Sequence, residues 1–155
     1  MPAPDQVKCH RSPVLTTDVI IEYDNGGKSG IVLIERRNHP VGLAIPGGFA
    51  ELGLTLDENA VKEAKEETGL DVMVDNAMRP FLVSSDPRRD PRGHMVSVAY
   101  IAKGYGQLRP GIFDDAKNPT LYSLDEVRDL VIGGRLVFDH GNILKEYLAY
   151  KGYGI

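Results

Sequence analysis

The sequence predicts an α/β fold with a mixed sheet between helical layers. Two observations carry this. Short runs rich in β-branched residues recur along the chain, at residues 18–23, 31–35, 71–74, 81–83 and 95–102. Stretches with helix start and stop signals stand among them, at residues 55–69, 124–131 and after Asp139. At 155 residues the chain is long enough for one domain with a real core.

Residues 1–13 are polar and proline-bearing and read as an arm or a peripheral strand. The first two β runs flank a glycine-rich turn, residues 24–30, and so form a hairpin. Their near-continuous apolar character predicts strands covered on both faces. Arg36-Arg37-Asn38-His39-Pro40 closes the second run. It reads either as a solvated loop or as a place where Arg36 or Arg37 turns toward a phosphate, which a guanidinium fork bonds at two oxygens. Residues 43–46 then form a short strand that enters Gly47-Gly48, where the backbone can approach a ligand closely.

The helix that follows organises the chain. Thr55 with Glu58 three residues on is a capping box, and Gly69 supplies a left-handed residue at the far end. Between them Glu63, Glu66 and Glu67 share one face at i, i+3 and i+4. Like charges so placed repel by roughly a few tenths of a kcal/mol per pair. A solvated face with Glu58, Lys62 and Glu66 in ion pairs is one reading. The other is a face for a hard divalent cation, which takes oxygen ligands. The glycine pair just ahead favours the second. Ala60, Val61 and Ala64 form the small apolar stripe that packs the helix on a sheet.

This stretch resembles the signature box of the Nudix hydrolases: Gly, five residues, Glu, seven residues, then Arg-Glu-apolar-x-Glu-Glu-x-Gly-apolar. Gly48, Glu63, Ala64, Glu66, Glu67, Gly69 and Leu70 fall in register; Leu54 and Lys62 depart. The resemblance implies a Nudix-type α/β/α sandwich with a mixed β-sheet over residues 1–155. It implies metal binding by Glu63, Glu66 and Glu67 with the Gly47 carbonyl, Mg2+ being the expected ion and Mn2+ the alternative. It also implies hydrolysis of a nucleoside diphosphate derivative, with these three glutamates as catalytic residues. The general base is left between Glu63 and an acidic loop residue, Asp114 or Asp115. Leu54 removes one carboxylate of the pattern.

Residues 84–94 form a loop with two prolines and three arginines within five residues. Asp86 and Asp90 can pair with those arginines at the surface, or the loop can close over an anionic substrate. The loop is similar to one in bacterial and archaeal ADP-ribose pyrophosphatases, with Pro87 as the counterpart of a proline associated with ADP-ribose preference. The substrate-binding set expected on these grounds is Arg36, Arg37, Gly48, Pro87, Arg89, Arg92 and Asp115. ADP-ribose, cleaved to AMP and ribose 5-phosphate, is the expected substrate. The alternatives are a non-catalytic ADP-ribose sensor on the same fold and a nucleoside triphosphate pyrophosphohydrolase.

The rest of the chain sets limits. Residues 111–119 read as a loop, and residues 124–131 as a helix stopped by Gly133-Gly134. Asp139 is placed to cap a last helix whose stripe of Ile143, Leu144, Tyr147 and Leu148 faces the core. Residues 152–155 read as a flexible tail. Of the four histidines only His94, beside the arginine loop, stands near the expected site. A net charge of −4 argues against a broad nucleic-acid surface. No apolar run is long enough for a membrane span and no signal pattern opens the chain. The single Cys9 excludes an internal disulfide and fits a reducing cytoplasm. Relatives of this kind are often homodimers with crossed N-terminal strands, so a homodimer is expected.

Overall fold

The computed structural model describes residues 11–110 and 116–155. The elements run β1 (Val14–Asp24), β2 (Ser29–Arg36), β3 (Gly42–Ala44), β4 (Gly47–Phe49), α1 (Leu56–Thr68), β5 (Asp71–Val74), β6 (Leu82–Ser84), β7 (Met95–Tyr105), β8 (Ala116–Tyr122), α2 (Leu124–Ile132) and α3 (His140–Tyr150). They form one mixed sheet of eight strands, with the order β3-β2-β1-β7-β5 along its main path. The Asn25-Gly26-Gly27 turn brings β2 back antiparallel on β1, pairing Glu22 with Ile31 and Asp24 with Ser29. Strand β7 runs parallel to β1 from Val14–Met95 to Glu22–Lys103.

The apolar runs are covered on both faces, as their composition predicts. Alternation along β1 sends Ile20 to one side and Val19 and Ile21 to the other. On the first side lie Val127 of α2 and Ile143, Leu144, Tyr147 and Leu148 of α3. On the second lie Ala60 and Ala64 of α1. The result is a sheet between helices, the α/β/α sandwich. Val61 departs from its predicted stripe and is 38 % exposed, because Ala60 and Ala64 face the sheet and Val61 does not. No helix among the described residues is long and apolar enough to cross a membrane.

Other local expectations change. Residues 116–122 form a strand rather than a loop. Asn118 and Pro119 together face Ile34 in a bulge against β2, where proline costs no ladder hydrogen bond. Residues 47–49 pair with residues 16–18 of β1, so the glycine pair is a short strand. Asp139 makes no capping bond to α3, because its carboxylate is taken by an arginine described below. The tail is tied as far as Tyr153, whose N–H donates to the Leu148 carbonyl oxygen at 2.8 Å.

Candidate active site

Strand β4 and helix α1 build one wall of a cavity of about 240 Å3. The helix starts where the capping box predicts: the Glu58 N–H donates to Thr55 Oγ1 at 3.4 Å. It ends at Gly69, whose φ of 78° is the left-handed conformation glycine adopts without strain. Asn59, one turn in, fastens the helix to the glycine strand. Its Oδ1 accepts the Glu51 N–H at 3.1 Å, and its Nδ2 donates to Thr17 Oγ1 at 2.8 Å and to the Phe49 carbonyl oxygen at 3.2 Å.

Two of the three helix glutamates enter the cavity. Glu67 is 4 % exposed and its Oε1 accepts the Gly47 N–H at 2.6 Å. Glu63 lies against Gly48, where a Cβ would come within 2.6 Å of its carboxylate carbon. Gly48 is therefore the cradle that gives Glu63 its place. Glu66 turns to Lys62, whose Nζ stands 2.9 Å from its Oε1, 3.2 Å from Glu51 and 3.8 Å from Glu63. The Glu66 contact and the other carboxylates hold the Lys62 ammonium above its ordinary pKa. Lys62 thus finds in Glu51 a carboxylate partner that Leu54 cannot be. The half-buried Leu54 does not line the cavity.

Carboxylates and a backbone carbonyl are the donor set of a hard divalent cation, and the missing Cβ at Gly48 lets the Glu63 carboxylate lie against the glycine strand. Among the described residues, however, no three acidic, histidine or cysteine side chains converge into a ready metal cage. The reason is the one given by charge alone. Glu66 pairs with Lys62, and Glu67 accepts the Gly47 N–H.

The arginine loop and the start of α3 form the opposite wall. Both surface pairs expected from the sequence exist, Arg88 with Asp86 at 3.0 Å and Arg92 with Asp90 at 2.9 Å. Yet Arg89 and Arg92 also line the cavity, so the loop is salt-bridged and faces inward at once. Arg89 has a side chain 3 % exposed and forks onto Asp139 at 2.6 and 3.0 Å. Burial of Asp90 opposes its charge, but the Arg92 fork outweighs this and the carboxyl stays below its ordinary pKa.

Arg36 lines the cavity and its Nε donates to the Pro40 carbonyl oxygen at 3.0 Å. Arg37 does not reach it and is exposed, because successive side chains at a strand end point to opposite sides. Pro87 is exposed as well, at the turn where the Arg88 N–H donates to Asp86. His94 packs over the loop, with Nε2 at 3.1 Å from the Ser85 carbonyl oxygen, and stays outside the cavity. Asp114 and Asp115 lie outside the described residues.

Asp18, His140, Phe138 and Phe49 are cavity residues that the sequence did not single out. Asp18 is buried in β1, accepts from the Ser97 hydroxyl and faces His140 Nε2 at 3.6 Å. Burial opposes its charge, but His140, Ser97 and Arg89 outweigh it and the carboxyl lies below its ordinary pKa. His140 Nδ1 accepts the Ile45 N–H at 2.9 Å, which leaves the ring proton on Nε2, toward Asp18. Phe138 holds φ at 56°, a conformation that costs a non-glycine residue about 1–3 kcal/mol. Its ring centre lies 5.1 Å from both the Arg36 and the Arg92 guanidinium carbons, and Arg92 lies 5.3 Å from the ring centre of Phe49. Signals for two of them were present. Asp18 is an acid beside an apolar run, and His140 continues the core stripe of α3 one turn back.

Comparison with known proteins agrees with this architecture. A family model described as NUDIX domain matches residues 13–145. An ADP-ribose pyrophosphatase of Methanocaldococcus jannaschii is 41 % identical over 142 residues, covering 90 % of this chain and 75 % of the relative. An ADPR-responsive transcriptional repressor, NtrR, of Acinetobacter baylyi is 32 % identical over 152 residues; the match takes in 89 % of this chain but 54 % of that protein. Among solved structures, the NUDIX domain of Shewanella oneidensis NrtR complexed with ADP ribose superposes with a TM-score of 0.76 at 20 % identity. That superposition covers 97 % of this chain and 94 % of the other.

Proposed function

This chain belongs to the Nudix family, and we propose that it hydrolyses the diphosphate of ADP-ribose to AMP and ribose 5-phosphate. One observation carries the reading. A single cavity joins the Glu63 and Glu67 carboxylates, the Gly47-Gly48 strand and three arginines, Arg36, Arg89 and Arg92. Acid on one wall and guanidinium on the other suit a diphosphate that arrives with a cation. The 41 % identical relative, named for ADP-ribose, supports the substrate.

Glu63, Glu66 and Glu67, with the Gly47 carbonyl, are the groups that would hold a divalent cation, Mg2+ or alternatively Mn2+. When bound, such an ion supplies positive charge to the diphosphate oxygens and a water of lowered pKa. The protein's own residues provide position. The Glu67–Gly47 bond makes helix and glycine strand one unit, and Asn59 ties that unit to β1. Arg92 and Arg36 bring guanidinium groups, which suit phosphate oxygens, to the cavity wall. Glu63, in its glycine cradle, is the proposed base among the described residues; Asp114 or Asp115 is the alternative from the 111–115 segment. A homodimer belongs to the same reading and is checked by light scattering.

The test is AMP release from ADP-ribose with and without Mg2+, beside nucleotide sugars, dinucleotides and nucleoside triphosphates. Metal-dependent release, strongest with ADP-ribose, is expected. Stronger cleavage of another compound keeps the chemistry and discards the substrate. A second reading rests on Leu54, which leaves Glu51 as the acidic partner of Lys62 outside the helix. In that reading the protein binds ADP-ribose without cleaving it, as a sensor. Tight binding with no product from any compound would select it.

A further inference from the structure

The cavity of about 240 Å3 is smaller than the roughly 300–1,000 Å3 of pockets that enclose a whole small ligand. A nucleoside diphosphate sugar therefore places one end beyond the rim. Phe49 stands at that rim, directly after the glycine pair, and is 51 % exposed. It is not an isolated apolar side chain. Arg92 lies over its ring, Phe138 lies beyond Arg92, and Arg36 lies on Phe138. Four planar groups thus alternate, aromatic and cationic, from the rim into the cavity. Arg92 cannot drift from this ladder, because Asp90 grips it at two points. Phe138 takes a strained backbone conformation to occupy its rung. Strain kept beside a cavity indicates a selected ring position.

We propose that Phe49 is the stacking platform for the nucleobase of the substrate, held in place by the Arg92–Phe138–Arg36 ladder. This rests on the reading of the site as one for a nucleoside diphosphate. It adds that the base end, rather than the sugar end, lies at the rim. A flat π-system adds to a ladder of alternating rings and guanidinium groups, whereas a ribose does not. The diphosphate is left to the deeper part of the cavity, where Glu63, Glu67 and the glycine strand face the arginines.

The experiment measures binding of two ligands, with Mg2+ present, to the wild type and to Phe49→Ala, Phe49→Leu and Phe49→Trp. One is etheno-AMP, a fluorescent AMP analogue whose emission reports stacking. The other is ribose 5-phosphate, followed by calorimetry. Phe49→Ala and Phe49→Leu are expected to weaken etheno-AMP on the order of tenfold. Phe49→Trp should restore it, and ribose 5-phosphate should bind all four proteins alike. Equal etheno-AMP binding by wild type and Phe49→Ala overturns the proposal. So does parallel loss of both ligands, or a fall in oligomeric state with nucleotide binding intact, which would make Phe49 a contact between copies. The two readings fail separately. Residue-49-dependent stacking without hydrolysis of any diphosphate removes the enzyme and keeps the platform; hydrolysis of ADP-ribose with stacking indifferent to residue 49 does the reverse.

Discussion

The two walls of the cavity hold their charges in different ways. On the arginine wall each pair is a two-point fork: Arg89 on Asp139 and Arg92 on Asp90. On the acidic wall Glu67 takes a backbone N–H, and Glu66 takes the ammonium of Lys62. A fork fixes both distance and orientation, whereas an ammonium on a four-carbon stem swings away at little cost. The arginine wall is built to keep its partners and the acidic wall to exchange them. The lesson concerns the division of labour. In a chain of net charge −4, the cavity arginines Arg89 and Arg92 are matched by carboxylates. Under the proposed function, the added positive charge a diphosphate needs would arrive with an ion at the acidic wall.

The largest expected effect comes from removing charge on the exchanging wall. Glu67→Gln keeps an oxygen for the Gly47 N–H but loses a ligand charge. Turnover of ADP-ribose should fall by roughly two to three orders of magnitude, a loss of the size seen when one electrostatic group is removed. The melting temperature should barely move. Turnover near wild type would separate α1 from the chemistry.

Breaking the keeping wall should act on stability first. Asp139→Ala leaves the Arg89 guanidinium buried without its fork, and breaking a buried pair costs roughly 3–5 kcal/mol. Thermal denaturation should show a fall of roughly ten degrees. A melt like that of the wild type would mean that water satisfies Arg89, and the contrast between the walls would weaken.

The neighbouring glycines sharpen the comparison on a finer scale. A Cβ at Gly47 would overlap the Thr17 carbonyl oxygen and the Asp18 carboxylate, so Gly47→Ala should lose stability. A Cβ at Gly48 meets only the end of the Glu63 side chain, which can move aside. Gly48→Ala should therefore fold nearly normally and bind Mn2+ about tenfold more weakly by calorimetry. Equal metal affinity would mean that the Glu63 cradle has no part in holding the ion.

The smallest effect is expected at Leu54. Leu54→Glu restores the missing acid of the box pattern and should shift the Mg2+ concentration for half-maximal activity by about threefold. An unchanged titration would show that Glu51 already fills that place.

The layers and most elements were legible in the sequence, because their signals are local. The capping box Thr55/Glu58, the stop at Gly69 and the stripe of α3 each depend on spacing within one element, and each appears where expected. Strand β8 was missed because Pro119 argues against a strand unless a bulge receives it, and only pairing with β2 reveals the bulge. The site divides the same way. Glu63 and Glu67 follow from helical spacing. Asp18 with His140, Arg89 with Asp139 and the Phe138 ladder join residues far apart in the chain, and no local pattern encodes those meetings. Asp139 is instructive: its position suggested a helix cap, and a buried guanidinium outcompeted the backbone for it.

Strand β1 has a consequence for motion. One edge carries β7 along nearly its whole length, while the other is shared between β4 at residues 16–18 and β2 at residues 22–24. The Val19 N–H donates to the Pro46 carbonyl oxygen and the Ala50 N–H to that of Leu15, closing the seam at both ends. The glycine strand is therefore stitched to the middle of the sheet, and it cannot lift without opening the central ladder. Amide exchange at Val19 and Ala50 should be as slow as global unfolding, while the loop between β6 and β7 exchanges through small local openings.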